Sequence, residues 1–182
     1  MAVTTPDTLF KPFADRLLGC WCAQLASLPT AANRPARCSF RFDDSIPSMG
    51  IALHEDECKC GTAWVRVADW FITSDAAWPG PDNSLEAQNC PRLWGLVLEL
   101  GIGRCPPIGT EKDLPTPAQL NAFHDVLLAD IKAMRQAIYC CFLTVDPMDR
   151  IALEAPQRVG PNGACLQQSL QLTIMVTACD EC

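Results

Sequence analysis

The chain has 182 residues, of which 49% are hydrophobic and 19% are charged, and its formal net charge is −7. This composition indicates one folded domain over residues 1–182 and excludes general disorder. An acidic chain without a basic run is repelled by phosphates, which argues against specific DNA binding. No segment approaches the ~20 consecutive apolar residues that a membrane helix needs.

The cysteine content conflicts with the start of the sequence. Twelve cysteines are present, a density typical of small oxidised extracellular proteins. However, the segment MAVTTPDTLFKPFADRLLGC has no basic region followed by an apolar one, so we expect no secretory signal and synthesis in a reducing cytoplasm. Two explanations remain open: a particle that is made in the cytoplasm and released by lysis, such as a virion, or a cytosolic metal-binding protein.

The first predicted element is a helix over residues 9–28, because apolar residues recur there every three or four positions. Cys20 and Cys22 lie about 200° apart around its axis. These two cysteines are therefore not expected to bind one metal ion together.

Strands are predicted next over 37–44, 62–73 and 93–104, from their alternating apolar pattern. The second strand should place Val65, Val67 and Phe71 on one face, and the opposite face should carry Trp64, Arg66 and Trp70. In the third strand, Gly101 and Gly103 suggest a bulge or a close backbone approach. Between these two strands, residues 74–92 are rich in turn formers and predict a long exposed loop.

A second loop over 105–116 leads to the clearest helix start in the chain. Thr116 is the predicted N-cap, Pro117 takes the first helical position, and Gln119 completes a capping box. A core-facing stripe then continues to about Cys141; its members are Leu120, Phe123, Leu127, Ile131, Met134 and Ile138.

Strands over 143–153 and 169–177 follow, joined through a Gly-Pro-Asn-Gly turn. This order predicts an α+β fold, an antiparallel sheet packed against the N-terminal helix and the long central helix.

The sequence gives little support for an enzyme. His54 and His124 are the two histidines, and no nucleophile signature accompanies either of them. There is no P-loop or dinucleotide fingerprint, and the acids of the run 55–57 are adjacent, so they should diverge. We therefore predict no catalytic residues and no cofactor.

The cysteines are the strongest chemical signal. Cys179 and Cys182 have the C-x-x-C spacing of zinc ligands, whereas Cys58 and Cys60 are one residue tighter. A zinc site built from these four is the basis of an alternative function, a cytosolic zinc-binding adaptor or regulatory module. A disulfide within C-x-C, or between the vicinal pair 140–141, would close a strained ring, so each cysteine is expected to seek a remote partner. Two or more disulfides, or buried reduced cysteines, both remain open.

The arrangement of cysteine motifs resembles a known family. CKCG precedes a strand, NCP and RC bracket the next, the long helix ends in YCCF, VGPNGAC precedes the final strand, and the terminus is cysteine-rich. Together these motifs, over about 38–182, resemble the head-to-tail connector proteins of actinobacteriophages, among them the tail terminators of long-tailed phages.

The resemblance implies a virion structural protein at the head–tail junction. It implies a sheet packed against helices and a homomeric ring, with six subunits expected, that caps the tail tube and meets the neck or stopper protein. DNA would pass through the ring without specific binding. Acids proposed for the channel or for ring contacts are Glu55, Asp56 and Glu57, or Asp146, Asp149 and Glu154. Trp78 is expected either to anchor on a neighbouring subunit or to pin its loop onto its own domain.

Overall fold

The secondary structure follows from a computed structural model that describes residues 9–28, 37–41, 62–84, 93–107, 114–145, 150–162 and 165–177. Helix α1 spans Lys11–Ala26, and helix α2 spans Pro117–Ala137 and continues through a π-helical turn at Ile138–Phe142 and an α turn at Leu143–Val145. The six strands are β1 Arg37–Arg41, β2 Thr62–Ile72, β3 Leu93–Arg104, β4 Ile151–Leu153, β5 Gln157–Asn162 and β6 Cys165–Thr177. No helix in these ranges is long and apolar enough to cross a membrane.

The strands form one sheet in the order β1-β2-β3-β6, and β4 and β5 both pair with β6. The α+β prediction is confirmed, with a mainly antiparallel sheet. Strand β1 is the exception, because it pairs with β2 in parallel. A parallel pair needs a crossover of about a dozen residues or more, and residues 42–61 are long enough to provide one.

The hydrophobic core lies between the two helices and one face of the sheet. Strand β3 is central and contributes four fully buried side chains to it, while β6 contributes three that stand opposite them. The helices add further fully buried side chains, among them Trp21 from α1 and Met134 from α2. The core face of the central strands is made by Leu96, Leu98, Leu100, Ile102, Leu170, Leu172 and Ile174.

Helix α2 begins as predicted but extends past the core. The Thr116 side chain accepts a hydrogen bond from the Gln119 backbone, and the Gln119 side chain accepts one from the Thr116 backbone, so the capping box is confirmed. The prediction that the whole stripe faces the core is wrong at its start, because Leu120 is 50% exposed whereas Met134 is fully buried. The first two turns of α2 are thus largely exposed.

A bulge in β2 overturns the predicted faces of that strand. The register shifts between Val67 and Asp69, which adds one residue and reverses the alternation beyond it. Phe71 therefore leaves the face of Val65 and packs over Gly95 on the opposite side of the sheet, where a Cβ on the glycine would overlap its ring. Trp70 moves to the helix side and is 58% exposed.

The close approach predicted at the glycines of β3 is confirmed at Gly101. The Trp64 indole lies against this residue, and a Cβ there would overlap it. Gly103 has no such neighbour, since the nearest atom to its position is the Thr62 carbonyl oxygen at 3.9 Å.

The hairpin before the last strand differs from the prediction. Strand β5 continues through Gly160, and Asn162 pairs with Cys165, so the predicted Gly-Pro-Asn-Gly turn is largely extended strand. One extra residue is accommodated between Val159 and Asn162, where Gly160 takes a φ of 109° that favours glycine. The strand predicted from residue 143 is also wrong at its start, because residues 143–145 continue the helix.

Candidate interaction site on the distal face of the sheet

The sheet face turned away from α1 and α2, here called the distal face, carries a polar cluster. Side chains from β2, β3, β5 and β6 point to this face because they occupy alternate positions of paired strands. They surround a shallow depression of about 100 Å³. Its lining residues are Trp64, Arg66, Glu99, Gln157, Gln167, Ser169 and Gln171.

Glu99 is the centre of this cluster and is only 4% exposed. Its carboxylate forms a salt bridge of 2.8 Å with Arg66 Nη2 and accepts hydrogen bonds from Gln171 Nε2 at 3.2 Å and Trp64 Nε1 at 3.4 Å. Three donors from the two neighbouring strands, β2 and β6, therefore hold one buried acid. A carboxylate fixed in this way stabilises the sheet and is not arranged as a general base open to a substrate.

The size of the depression limits what it can bind. Sites for small molecules and cofactors enclose ~300–1,000 Å³, several times the 100 Å³ found here. The space suits ordered water or one side chain of another protein. The depression is therefore too small to enclose a substrate of ordinary size.

A second polar cluster lies inside the domain where α2 crosses the end of β3. Arg104 donates two hydrogen bonds to Asp130, from Nε at 2.8 Å and from Nη2 at 2.6 Å. Gln168 Nε2 donates to the same carboxylate at 3.2 Å and to the Leu127 carbonyl oxygen at 3.1 Å. Burial raises the pKa of Asp130, and the hydrogen bonds and charge of Arg104 act in the opposite direction. This cluster fixes the position of α2 on the sheet.

Two disulfides link the helices and the first strand. Cys20 is bonded to Cys141 with a Cα–Cα distance of 5.7 Å, and Cys22 is bonded to Cys38 with a distance of 5.8 Å. The prediction that neighbouring cysteines find remote and different partners is confirmed for these residues. Cys140, next to Cys141, is exposed as a free thiol.

The loop after β2 is held to its own domain. Trp78 is half-buried, and its backbone amide donates to the Ser74 carbonyl oxygen at 3.0 Å. Thr73 Oγ1 donates to the Gly80 carbonyl oxygen at 2.8 Å, which closes the turn. The part of the predicted loop 74–92 that the structure describes is thus an ordered turn, with Trp78 partly covered by its own chain.

Two carboxylates support the same turn. Hydrogen bonds from Ser74 and Ser84 lower the pKa of Asp82. Asp75 forms a salt bridge of 2.8 Å with Arg150, which precedes β4. The turn is therefore tied to the opposite edge of the sheet as well as to β2.

Most of the acids and cysteines proposed from the sequence fall outside the described ranges. Glu154 is the exception among the proposed acids, because it lies within the described ranges. Its side chain is exposed, and its backbone amide donates to the Gln171 carbonyl oxygen at 3.0 Å. His124 is exposed on α2. In the described residues there is no group of three or more potential metal ligands. Those outside the described ranges are Glu55, Asp56, Glu57, Cys58, Cys60, Asp146, Asp149, Cys179 and Cys182.

Two apolar surfaces are exposed at separate places. The first, here called the α2 overhang, is the segment 114–123, in which Leu114 is 79% exposed and Leu120 is 50% exposed. The second, here called the Trp70 patch, consists of Trp70 with the Phe10 ring 6.4 Å from it.

The central polar residues of both clusters were missed from the sequence, although signals for them exist. Glu99 is the one charge inside the apolar run LWGLVLELGIG, and a charge within a central strand needs a buried partner. Asp130 follows Leu127 by three residues and precedes Met134 by four, which places an acid on the core side of α2. Their partners on other strands could not be read from spacing.

No protein-family model matches this sequence, and no curated protein matches it.

Proposed function

We propose that this protein is a structural component of a phage virion, a tail terminator at the head–tail junction. In this role identical subunits form a ring that caps the tail tube and joins it to the neck protein. Its action is assembly, and the acid–base pairs of the chain serve the fold.

The observation that carries this proposal is the α2 overhang. An amphipathic helix normally ends its apolar stripe where the core ends, because exposed leucine gains nothing from water. Here the stripe continues past the sheet with Leu120 half exposed and a further exposed leucine just before the helix. A surface of this kind becomes favourable when another subunit covers it.

The polar clusters support a role in assembly. Glu99 and Asp130 are both buried and each is held by an arginine and a glutamine. Such saturated carboxylates are typical of structural networks, since a catalytic acid or base must reach a substrate proton. The cluster residues therefore support a rigid subunit.

The charge of the chain suits a channel for DNA. A net charge of −7 per subunit is multiplied by the number of subunits in a ring. A channel lined by acids repels phosphates, so a genome would slide through it without adhering. We propose that the acids 55–57, or Asp146, Asp149 and Glu154, contribute to this lining or to the contacts between subunits.

The disulfides suit a particle that persists outside the cell. Two bridges constrain α1, β1 and the end of α2. Disulfides persist in oxidising surroundings and are rare in reducing ones. Formation after release would stabilise a subunit that was made and assembled in the cytoplasm.

The test is binding to tails. Purified protein carrying a gold label is mixed with tail tubes isolated from the phage that encodes it and is viewed by negative-stain electron microscopy. We expect label at one end of the tube and at the junction of intact particles. Label distributed along the tube, or absence of the protein from purified particles by mass spectrometry, would contradict the proposal.

A further inference from the structure

We infer that the α2 overhang of one subunit docks on the Trp70 patch of a second copy, in a head-to-tail contact. This inference rests on the proposed function, because it names the subunit contact of the ring proposed above. It follows from where the two surfaces lie, what they are made of and how they are charged.

The α2 overhang has the composition of an interface core. Its nine residues from Leu114 to Ala122 include no ionisable side chain, in a chain that is 19% charged. Leu120 lies on the same helix stripe as the buried Met134 but is half exposed. Depletion of charge around exposed apolar groups is the compositional mark of interface cores.

The Trp70 patch offers a different kind of apolar surface. Trp70 is 58% exposed, and the Phe10 ring stands 6.4 Å from it and 6.2 Å from Trp94. The bulge in β2 creates this surface, since it turns Trp70 to the helix side of the sheet, opposite Leu96 of β3. Large aromatic side chains of this kind are common anchors in protein interfaces.

The two surfaces lie toward opposite ends of the sheet. Trp70 pairs with Leu96 near the start of β3, whereas Arg104, at its end, binds Asp130 of α2. Eight residues of strand separate these positions, a distance of ~26 Å at ~3.3 Å per residue. The overhang belongs to the same helix and lies 7 to 16 residues before Asp130.

The charges of the two surfaces are complementary. The first turn of α2 contains no acidic residue that would offset the partial positive charge at this helix end. Asp69 next to Trp70 is exposed, and its carboxylate accepts a hydrogen bond from the Trp70 amide at 2.8 Å. Copies that each carry a charge of −7 approach most easily where one side of the contact is uncharged.

A head-to-tail contact between unlike surfaces leaves one of each free at the ends of a short chain. Such contacts close into a ring when the rotation per subunit allows it. A contact between two copies of the same surface would stop at a dimer. The unlike pair is therefore the arrangement that a ring requires.

The test uses single variants and their mixture, with native mass spectrometry as the measurement. Leu120→Glu removes one surface, and Trp70→Glu removes the other. We expect each variant to raise the concentration at which the assembly dissociates by ~30-fold or more. An equimolar mixture should form a dimer of one Trp70→Glu chain and one Leu120→Glu chain, because only one intact overhang and one intact patch remain.

Matched controls come from the same chain. Leu128 is as exposed as Leu120, at 50%, but lies between Asp125 and Lys132 on the charged side of α2, and Tyr139 is an aromatic residue 49% exposed elsewhere. Leu128→Glu and Tyr139→Glu should assemble like the wild type. Circular dichroism of all four variants is the check that each one is folded.

Each other outcome has a defined meaning. If either test variant assembles normally, or if their mixture stays monomeric, the head-to-tail contact is overturned. A ring that binds tail ends would still keep the proposed function. If the mixture forms the dimer but wild-type protein does not bind tails, the contact holds and the proposed function falls. A wild type that is monomeric at every concentration overturns the contact.

Discussion

At the residue scale, the pair formed by Arg104 and Asp130 has the greatest effect on the position of α2. Both side chains are almost fully buried, at 6% and 0% exposure, and they join the end of β3 to the helix. Removal of one partner from a buried ion pair leaves a charge without its counterion, whereas replacement of both by apolar side chains is often nearly neutral. The pair therefore matters more for where α2 lies than for total stability.

We expect Asp130→Leu to lower the free energy of unfolding by about 3–5 kcal/mol, because Arg104 loses its carboxylate. The double variant with Arg104→Met should recover most of that loss. Guanidinium denaturation measures both. The exposed Asp125→Leu on the same helix is the control and should change stability by less than ~0.5 kcal/mol. If the double variant instead lost more free energy of unfolding than Asp130→Leu alone, this account would be contradicted.

The same cluster shows how far residue-level prediction reaches. An acid on the core side of α2 is visible in the spacing of Leu127, Asp130 and Met134. Its partner is not, since Arg104 ends a strand 26 residues earlier and Gln168 lies 38 residues later. Helix periodicity describes one element at a time, whereas an ion pair between elements depends on how they pack.

At the scale of elements, the two disulfides decide how the ends of the fold are held. The bridge from Cys20 to Cys141 joins α1 to the end of α2 over a sequence separation of 121, and that from Cys22 to Cys38 joins α1 to β1 over 16. A cross-link stabilises mainly by restricting the unfolded chain, and the restriction grows with the length of the closed loop. The first bridge should therefore contribute more than the second.

We expect replacement of Cys20 and Cys141 by alanine to cost about 3–5 kcal/mol, and replacement of Cys22 and Cys38 about 2–3 kcal/mol. Guanidinium denaturation without reductant gives both values. Cys140→Ala, which removes the neighbouring free thiol, is the control and should have little effect. If both replacements lowered the free energy of unfolding equally, or if removal of the Cys22–Cys38 bridge lowered it more, the entropy of the unfolded chain would not explain how much each bridge contributes.

Elements differ in how well their sequence specifies them. The start of α2 was predictable because Thr116, Pro117 and Gln119 form a local motif whose contacts lie within one turn. The bulge in β2 was not, because TAWVRVADWFIT alternates acceptably in either register and only pairing with β3 selects one. Both exposed apolar surfaces depend on tertiary packing. The Trp70 patch depends on the extra residue in β2, and the α2 overhang depends on how much of α2 the rest of the domain covers.

At the scale of the whole molecule, the proposed ring draws on the packing of the domain, its buried ion pairs and its exposed apolar surfaces. The described part of the domain is a sheet covered on one face by two helices, its buried acids Glu99 and Asp130 are each paired with an arginine, and it exposes two unlike apolar surfaces. A subunit with unlike surfaces at two ends extends or closes by repetition. The proposed ring at the head–tail junction is the closed form of that repetition.

The most direct test of the ring is the mass of the wild-type protein in native mass spectrometry over a range of micromolar concentrations. We predict one closed species of fixed stoichiometry, with six subunits expected, in equilibrium with monomer and with few intermediates, because closure adds a contact that open forms lack. A ladder of growing oligomers would indicate open filaments. A monomer at every concentration would contradict the central claim that this chain is a ring subunit.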